Sequence, residues 1–352
     1  MKQFNNLTIL AIETSCDDTC VAVIKASGKK NPRFEILSNI VSSQVEIHKK
    51  WGGIYPALAK REHQKNLPII LKKVLKKTKI DLVAVTIGPG LEPCLWVGVN
   101  FAKSLSRKLN VPIIPVNHVE GHILVNFQFS IFNFQKLFPA VCLVVSGGHT
   151  QLILMKNFGS YQILGETRDD AAGECFDKVA RILGLGYPGG PAIAAQARKL
   201  QTTNYKLQTK LPRPMLNQKN YDFSFSGLKT AVLYKMKEKG NRVPKRELGS
   251  LMAKEVQQAI IDVLLKKTIK AAKDYRAKTI ILGGGVAANS ELRKQFKLKI
   301  KNLKLKINFL VPSKQFCTDN AVMTGIAGYY NYLQGKTKKP AKIKAEANLR
   351  IS

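Results

Sequence analysis

Ala140-Val141-Cys142-Leu143-Val144-Val145-Ser146-Gly147-Gly148-His149-Thr150-Gln151-Leu152-Ile153-Leu154-Met155 decides the fold. It is an apolar run, a small polar turn and a second apolar run, which together read as a β-hairpin. The chain has already opened on the same plan. Leu7-Thr8-Ile9-Leu10-Ala11-Ile12 runs into Glu13-Thr14-Ser15-Cys16-Asp17-Asp18-Thr19 and then Val21-Ala22-Val23-Ile24. Two such starts in one chain predict a duplicated domain. Gly147 and Gly148 let backbone N–H groups come close to an anion. Hydroxyls and backbone N–H groups of the first turn can face a phosphate while one of its two Asp carboxylates holds a cation. An ordinary Asp-rich turn is the alternative.

The pattern between and beyond the two starts is strand alternating with helix. Asp81 to Ile87 reads as a buried strand, Gly88-Pro89-Gly90 as a tight turn, Val97 to Leu109 as a helix and Val111 to Val116 as another buried strand. This alternation points to α/β architecture with a largely parallel sheet. Ligands of such sheets sit at the carboxyl ends of strands, where Gly88 and His118 fall. Gln44 to Leu75 reads as helical with a break at Trp51-Gly52-Gly53. Leu67, Ile70, Leu71, Val74 and Leu75 form its apolar stripe. Phe127 to Phe138 reads as an irregular connector.

After the second start, Arg168 to Lys178 concentrates four acids near Gly173 and runs into a helix through Leu183. Asp177 and Lys178 lie too deep in that helix for a capping role. Tyr187-Pro188-Gly189-Gly190-Pro191 is a rigid turn before another helix. Tyr221 to Thr230 alternates aromatic with polar residues, and Leu248 to Tyr275 is a long amphipathic helix. Thr279 to Leu282 is a strand followed by Gly283-Gly284-Gly285-Val286-Ala287-Ala288-Asn289 and a helix. Strand, glycines, helix is a phosphate-binding geometry. Without a lysine after the glycines it is not a P-loop. Residues 293–318 carry seven Lys/Arg up to Lys306, then Lys314, and no acid. They are the best local candidate for an RNA-facing patch, with a solvated helix face as the alternative. Phe316-Cys317-Thr318-Asp319-Asn320 is read as ending the last strand on Asp319. A final helix is expected over Ala321 to Leu333, followed by a partly disordered Lys-rich tail.

Asn117-His118-Val119-Glu120-Gly121-His122 places two of the five histidines four residues apart. If the stretch is helical, both rings face one way and can reach one ion. Neutral imidazole is a common ligand for zinc and iron. A pair of satisfied histidines is the bland reading. Two histidines cannot fill a coordination shell, so a third ligand must come from elsewhere. A zinc peptidase needs Glu directly after the first His, and Val119 holds that position.

At 352 residues the chain is long enough for two domains. Lys+Arg 57 against Asp+Glu 23 gives a formal charge of +34, a surface that attracts polyanions, with nucleic acid the first candidate. The lysines are scattered, so solvated lysines with no partner also fit. Cys16, Cys20, Cys94, Cys142, Cys175 and Cys317 form no CxxC pair and read as reduced thiols of a cytoplasmic protein. No leader peptide is recognisable, and no run of about 18 apolar residues predicts a membrane span.

These stretches, in this order, resemble one family. Glu13 to Thr19, His118 to His122, Ser146 to Thr150, Asp169 to Glu174, Tyr187 to Pro191, Asp222 to Thr230, Gly284 to Asn289 and Cys317 to Asn320 follow the pattern of the tRNA threonylcarbamoyladenosine transferases, the TsaD and Kae-type group. The Tyr-Pro-Gly-Gly-Pro form is similar to the bacterial branch. The resemblance covers about Leu7 to Tyr330. It implies an α/β actin-like ATPase (ASKHA) fold, made of two duplicated ribonuclease-H-like domains with a ligand cleft between them. Residues 1–135 would form one lobe, joined by the helix 321–335. Residues 136–320 would form the other, and 336–352 the tail. The implied reaction transfers a threonylcarbamoyl group from threonylcarbamoyl-adenylate to N6 of the adenosine 3′ of the anticodon, in tRNAs reading ANN codons. His118, His122 and Asp319 match the family's ligands for one divalent metal, Fe2+ first and Zn2+ second. Val144, Val145, Ser146, Gly147, Gly148, Asp177, Gly190 and Asn289 match its positions for the adenylate or an adenine nucleotide. The implied partners are tRNA, a metal-free paralogous subunit and a small ATPase. Pro93-Cys94 departs from the small flexible pair usual after the Gly-Pro-Gly-Leu turn.

Rival readings each miss something. A small-molecule kinase of the same superfamily needs no histidine pair. A silent scaffold would be expected to lose the His118/His122/Asp319 set. A carbamoyltransferase acting on a small molecule is the closest chemical alternative, and the basic charge favours a tRNA acceptor over it.

Overall fold

The computed structural model describes residues 6–75, 78–128, 136–199, 210–239 and 245–352. The chain separates into two compact units. Unit 1 comprises Met1–Phe138, Lys156–Tyr161 and Pro312–Ser352; unit 2 comprises Pro139–Met155 and Gln162–Val311.

Unit 1 is built on a five-stranded sheet of β1 (Leu7–Glu13), β2 (Asp18–Ser27), β3 (Arg33–Ser43), β4 (Leu82–Gly88) and β5 (Ile113–Asn117), in the order β3-β2-β1-β4-β5. β1 and β2 pair antiparallel from Leu7↔Ala26 to Glu13↔Cys20, while β4 lies parallel to both β1 and β5. Helices α1 (Val45–Lys49), α2 (Pro56–Leu75), α3 (Glu92–Leu109) and α4 (His118–Leu124) complete the first pass. The central strands are buried along their length, so they read as unbroken apolar runs rather than alternating ones.

Unit 2 repeats the plan. β6 (Ala140–Val145), β7 (Thr150–Asn157), β8 (Ser160–Glu166), β9 (Thr279–Gly283) and β10 (Asn308–Leu310) stand in the order β10-β9-β6-β7-β8. β6 and β7 pair antiparallel from Ala140↔Met155 to Val145↔Thr150, and β6 and β9 pair parallel. Each sheet is therefore three successive strands with two parallel strands added on the β1 or β6 side, which is the duplication the two hairpins predict. Helices α5 (Ala172–Ile182), α6 (Gly189–Arg198), α7 (Ser226–Lys239), α8 (Lys245–Asp274) and α9 (Ser290–Asn302) belong to this unit. The chain then returns to unit 1 as α10 (Ala321–Leu333), which packs across β1, β2, β4 and β5. Gly328 makes that approach possible, because a Cβ there would stand 2.6 Å from Ala84 Cβ.

The structure departs from the sequence reading in several places. β3 and β8 were not expected. β3 is an edge strand whose Ile36, Leu37 and Val41 are exposed, so it lacks the alternation that marks a half-buried strand. α3 begins at Glu92, five residues before the expected Val97. Asp319 does not end a strand: β10 closes at Leu310, and Asp319 directly precedes the N-cap of α10. The Lys-rich tail is ordered against unit 1. Lys338 N donates to Ile113 O at 3.1 Å, Glu346 N to Ile87 O at 2.7 Å, and Gly90 N to Ala347 O at 3.0 Å. Ile343 is buried in the core with Leu10, Val83 and Val99, so a few apolar residues hold what the lysine content suggested was loose. Of the connector 127–138, residues 129–135 lie outside the described residues. Among the described residues, no helix is long and apolar enough to cross a membrane.

Candidate metal and adenylate sites

Both ligand-bearing segments of unit 1 are fixed by asparagine caps. Asn117 ends β5, and its Oδ1 accepts from Val119 N at 2.9 Å and Glu120 N at 3.2 Å. That cap starts α4 on His118, so the two imidazoles share a helix face as the spacing requires. Asn320 Oδ1 accepts from Met323 N at 3.0 Å, and its Nδ2 donates to Thr318 O at 2.8 Å. Asp319 is held between these bonds, at the start of α10.

The three side chains converge. Asp319 Oδ1 lies 3.6 Å from His118 Nε2 and 3.3 Å from His122 Nε2. The ligand atoms of the set fall within 4.8 Å of one another, and the two rings stand edge to face with centroids 4.7 Å apart. Ligands on metal bonds of about 2.1 Å in tetrahedral array stand about 3.4 Å apart, so the set fits a transition-metal ion. Among the described residues neither buried ring nitrogen of His122 makes a hydrogen bond of good geometry, although Nε2 lies 3.3 Å from Asp319 Oδ1. A buried polar atom with no partner is costly, and a cation would satisfy it.

Behind the ligands stands Glu13, which the sequence reading quoted without giving it a role. It is fully buried at the end of β1. Its Oε2 lies 3.2 Å from His118 Nδ1 and accepts from Thr86 Oγ1 at 2.5 Å, and its Oε1 accepts from Ser15 N at 2.6 Å. Ser15 Oγ adds a second contact to His118 Nδ1 at 3.1 Å. A carboxylate on Nδ1–H turns Nε2 toward the ion site and raises its basicity. An acid closing an otherwise apolar strand was the signal available in the sequence.

The local charges agree. Burial alone would lower His118, but Asp319 and Glu13 outweigh it and lift the imidazole to about 9. Burial pushes His122 down. Burial would raise Glu13, yet its contact with His118 leaves it below the usual carboxylate range. Burial, reinforced by Asp319 and Asp17, pushes Asp18 up to about 7 against a hydrogen bond from Ser43. Glu13 and Asp319 thus set two carboxyls against His118, and Asp17 and Asp18 feel the charge of Asp319. The other unit 1 histidines are satisfied within the protein. His48 bonds Gln44 Oε1 at 3.1 Å, and His63 contacts Thr19 Oγ1 at 2.8 Å and Cys16 O at 2.9 Å.

The remaining candidate residues lie in unit 2: Val144 to Gly148 at the carboxyl end of β6, Asn289 beyond β9, Asp177 in α5 and Gly190 at the start of α6. Val144 and Val145 are buried, so what they can offer a ligand is backbone. Ser146 N donates to His149 O at 2.8 Å and Ser146 Oγ accepts from His149 N at 3.1 Å, which closes the turn. Gly147 and Gly148 are exposed with nothing within 4 Å of where a Cβ would be. Two glycines outside the expected set shape this turn. A Cβ on Gly173 would meet Ser146 O at 2.5 Å. A Cβ on Gly284, at φ +87°, would meet Val145 O at 2.4 Å. The N-terminus of α5 is thereby seated on the turn, with Gly173 N donating to Ser146 O at 3.0 Å. Asp177 Oδ1 accepts from Gly189 N at 2.6 Å and so orients the Gly189-Gly190 turn. Asn289 caps α9, accepting from Glu291 N and Leu292 N, and its Nδ2 donates to Gln257 Oε1. Open glycine backbone beside helix N-termini suits an anionic phosphate group.

The fold is that of the actin-like ATPases. The structure resembles the crystal structure of T. kodakarensis HypF with a TM-score of 0.57 at 13% identity, over 95% of this chain and 48% of that one. In unit 1 of this duplicated fold, two histidines and one aspartate come together as a candidate cation site. The profile of TsaD, tRNA N6-adenosine threonylcarbamoyltransferase, matches residues 35–326. The chain is 48% identical to the tRNA N6-adenosine threonylcarbamoyltransferase of Thermosipho africanus, over 98% of this chain and 100% of that protein. It is 43% identical to that of Clostridioides difficile, over 99% of each. The chain belongs to the tRNA N6-adenosine threonylcarbamoyltransferase family.

Proposed function

We propose that this chain transfers the threonylcarbamoyl group of threonylcarbamoyl-adenylate to N6 of the adenosine 3′ of the anticodon in tRNAs reading ANN codons. In this reading unit 1 holds one divalent metal on His118, His122 and Asp319, and unit 2 binds the adenylate on its glycine-rich end. The observation that carries the reading is the convergence of those three side chains, remote in sequence, in a member of this family. Iron(II) is the first choice of metal and zinc the second, since two imidazoles and one carboxylate suit both.

The donor is a mixed carbamic–phosphoric anhydride, and the acceptor is a weakly basic aryl amine. When bound, the metal supplies Lewis acidity toward the donor's oxygens. Glu13 keeps the His118 proton on Nδ1 and so turns Nε2 toward Asp319 and the proposed ion. Backbone N–H groups of Gly147 and Gly148 can bind the donor's phosphate or carbamoyl oxygens. Asp177 fixes the position of Gly190 through Gly189 N. No described side chain is an obvious general base, so positioning and electrostatics carry the rate.

The +34 charge supports a polyanionic acceptor. Six free cysteines support a reducing, cytoplasmic setting. The family likeness supports a metal-free paralogous subunit and a small ATPase as partners. The test is transfer from synthetic threonylcarbamoyl-adenylate to unmodified tRNA, with those partners supplied, for wild type beside His118→Ala. Modified adenosine from wild type only supports the reading. Equal modification by both removes the metal role. Carbamoylation of a small acceptor with no tRNA product would replace the function with the carbamoyltransferase alternative.

A further inference from the structure

Two aromatic rings of unit 1 stand in the open. Trp51 and Tyr55, in the break between α1 and α2, are 67% and 57% exposed. Their rings are stacked, with centroids 5.9 Å apart and an interplanar angle of 26°. Large paired aromatics left in water mark a contact surface. The loop carrying them is anchored from below. Tyr55 N donates to His48 Nδ1 at 3.3 Å, His48 Nε2 contacts Gln44 Oε1 at 3.1 Å, and Gln44 Nε2 donates to Ala59 O at 3.4 Å. His48 and Gln44 are buried, so the rings sit on a rigid base.

The surroundings are cationic. Lys49, Lys50, Lys60, Arg61 and Lys65 are exposed, and among the described residues only Lys49 has an acid within ion-pair distance, Glu46 at 3.6 Å. The loop also lies near the metal set. α2 reaches the first turn of the chain through His63, on Cys16 O at 2.9 Å, and the same turn touches His118 through Ser15. Pro56, next to Tyr55, accepts from Cys94 Sγ, and Cys94 O accepts from Thr14 Oγ1 at 3.0 Å.

We propose that Trp51 and Tyr55 form a stacking platform for an unpaired RNA base, with Lys50, Lys60 and Arg61 on the flanking phosphates; the occupant is the anticodon loop of the acceptor tRNA. The assignment rests on the tRNA reading above. Aromatic faces beside unneutralised cations are the means by which proteins hold single-stranded nucleic acid, and a duplex hides the base faces they need. Protein interfaces are depleted of lysine at their cores, whereas Lys49, Lys50, Lys60 and Lys65 dominate here.

The test uses the full chain and an anticodon stem-loop RNA, with binding followed by anisotropy and by Trp51 emission. Trp51→Ala/Tyr55→Ala should weaken stem-loop binding about tenfold or more, since each stacked base contributes strongly. Trp51→Phe should retain most of it, and a blunt RNA duplex should bind both proteins alike. Calorimetric binding of threonylcarbamoyl-adenylate and the melting temperature should not change, because both rings are exposed. Unchanged stem-loop affinity in the double variant, while wild type binds and modifies tRNA, overturns the platform and leaves the function standing. Loss of association with the paralogous subunit at unchanged RNA affinity makes the patch a protein interface and equally overturns it. A wild-type chain that neither binds nor modifies tRNA removes the function and the platform together.

Discussion

Glu13→Gln separates the support of the proposed metal site from its proposed ligands. The substitution keeps the shape of the side chain, removes its charge and turns one acceptor into a donor. In the native arrangement both oxygens are used: Oε2 faces His118 Nδ1 and Thr86 Oγ1, and Oε1 takes Ser15 N. Either orientation of the amide sets a donor against a donor, at about 1–3 kcal/mol of stability. Replacing an outer-shell partner of a metal-bound histidine typically weakens metal binding by about 10- to 100-fold, or about 1.4–2.7 kcal/mol. A proton competes for the same site. His118 is lifted to about 9 by Asp319 and Glu13 against burial, so its raised value keeps the proton bound below that pH and releases it above. At pH 7, displacing the proton costs the wild type roughly two pKa units, about a hundredfold in affinity. Loss of Glu13 lowers that obstacle as well. The variant is therefore expected to bind Co2+ about 10- to 100-fold more weakly than wild type above pH 9, with a narrower gap at neutral pH. Cobalt titration followed by visible absorption, with calorimetry as a second readout, measures both. Indistinguishable affinities above pH 9 would refute the role given to Glu13.

Two further outcomes follow from burial. Asp18 is held at about 7, above its ordinary value, so the folded chain binds its proton more tightly than the unfolded chain does. Its ionisation weakens the metal-free fold progressively as pH rises from about 4 through 7, by up to about 4 kcal/mol. Asp18→Asn should therefore melt above wild type in metal-free protein at pH 8 and alongside it at pH 4; an equal difference at both would exclude this account. Deleting 337–352 removes buried Ile343 and the bonds to Ile87 and Ile113. Burying one such side chain contributes about 1.5–3 kcal/mol, so unit 1 should melt clearly lower, and an unchanged melting curve would count against the packed tail.

Much of this was legible because burial imposes simple patterns. β1, β4 and β6 are covered on both faces and appear as apolar runs, and α10 lies where its apolar pattern placed it. Asn117 before the histidine pair marks a helix start, which fixes both rings on one face. Edge strands escaped this reading: β3 mixes exposed Ile36 and Leu37 with polar residues, because an edge exposes both kinds. The tail was misjudged from composition, since Ile343 anchors a segment dominated by lysine. Asp177 and Asn289, which match the family's adenylate positions, also bind Gly189 N and cap α9, contacts that spacing in the sequence does not reveal. Glu13 could not be ranked above other acids, because its partners come from β4, α4 and α10, remote in sequence.

Unit 1 is discontinuous: unit 2 is almost wholly contained between its first 138 residues and the segment Pro312–Ser352. This sets an order on biosynthesis. At about 5–20 residues per second, Asp319 emerges roughly 10–40 s after His122, because all of unit 2 is synthesised in between. Until then His118 and His122 are the only two ligands of the set present, and two imidazoles retain an ion poorly. On the proposed site, stable metal capture would wait for translation of the C-terminal segment. A nascent or truncated chain that has folded unit 2 would still lack the third proposed ligand, so metal content would distinguish finished molecules from partial ones.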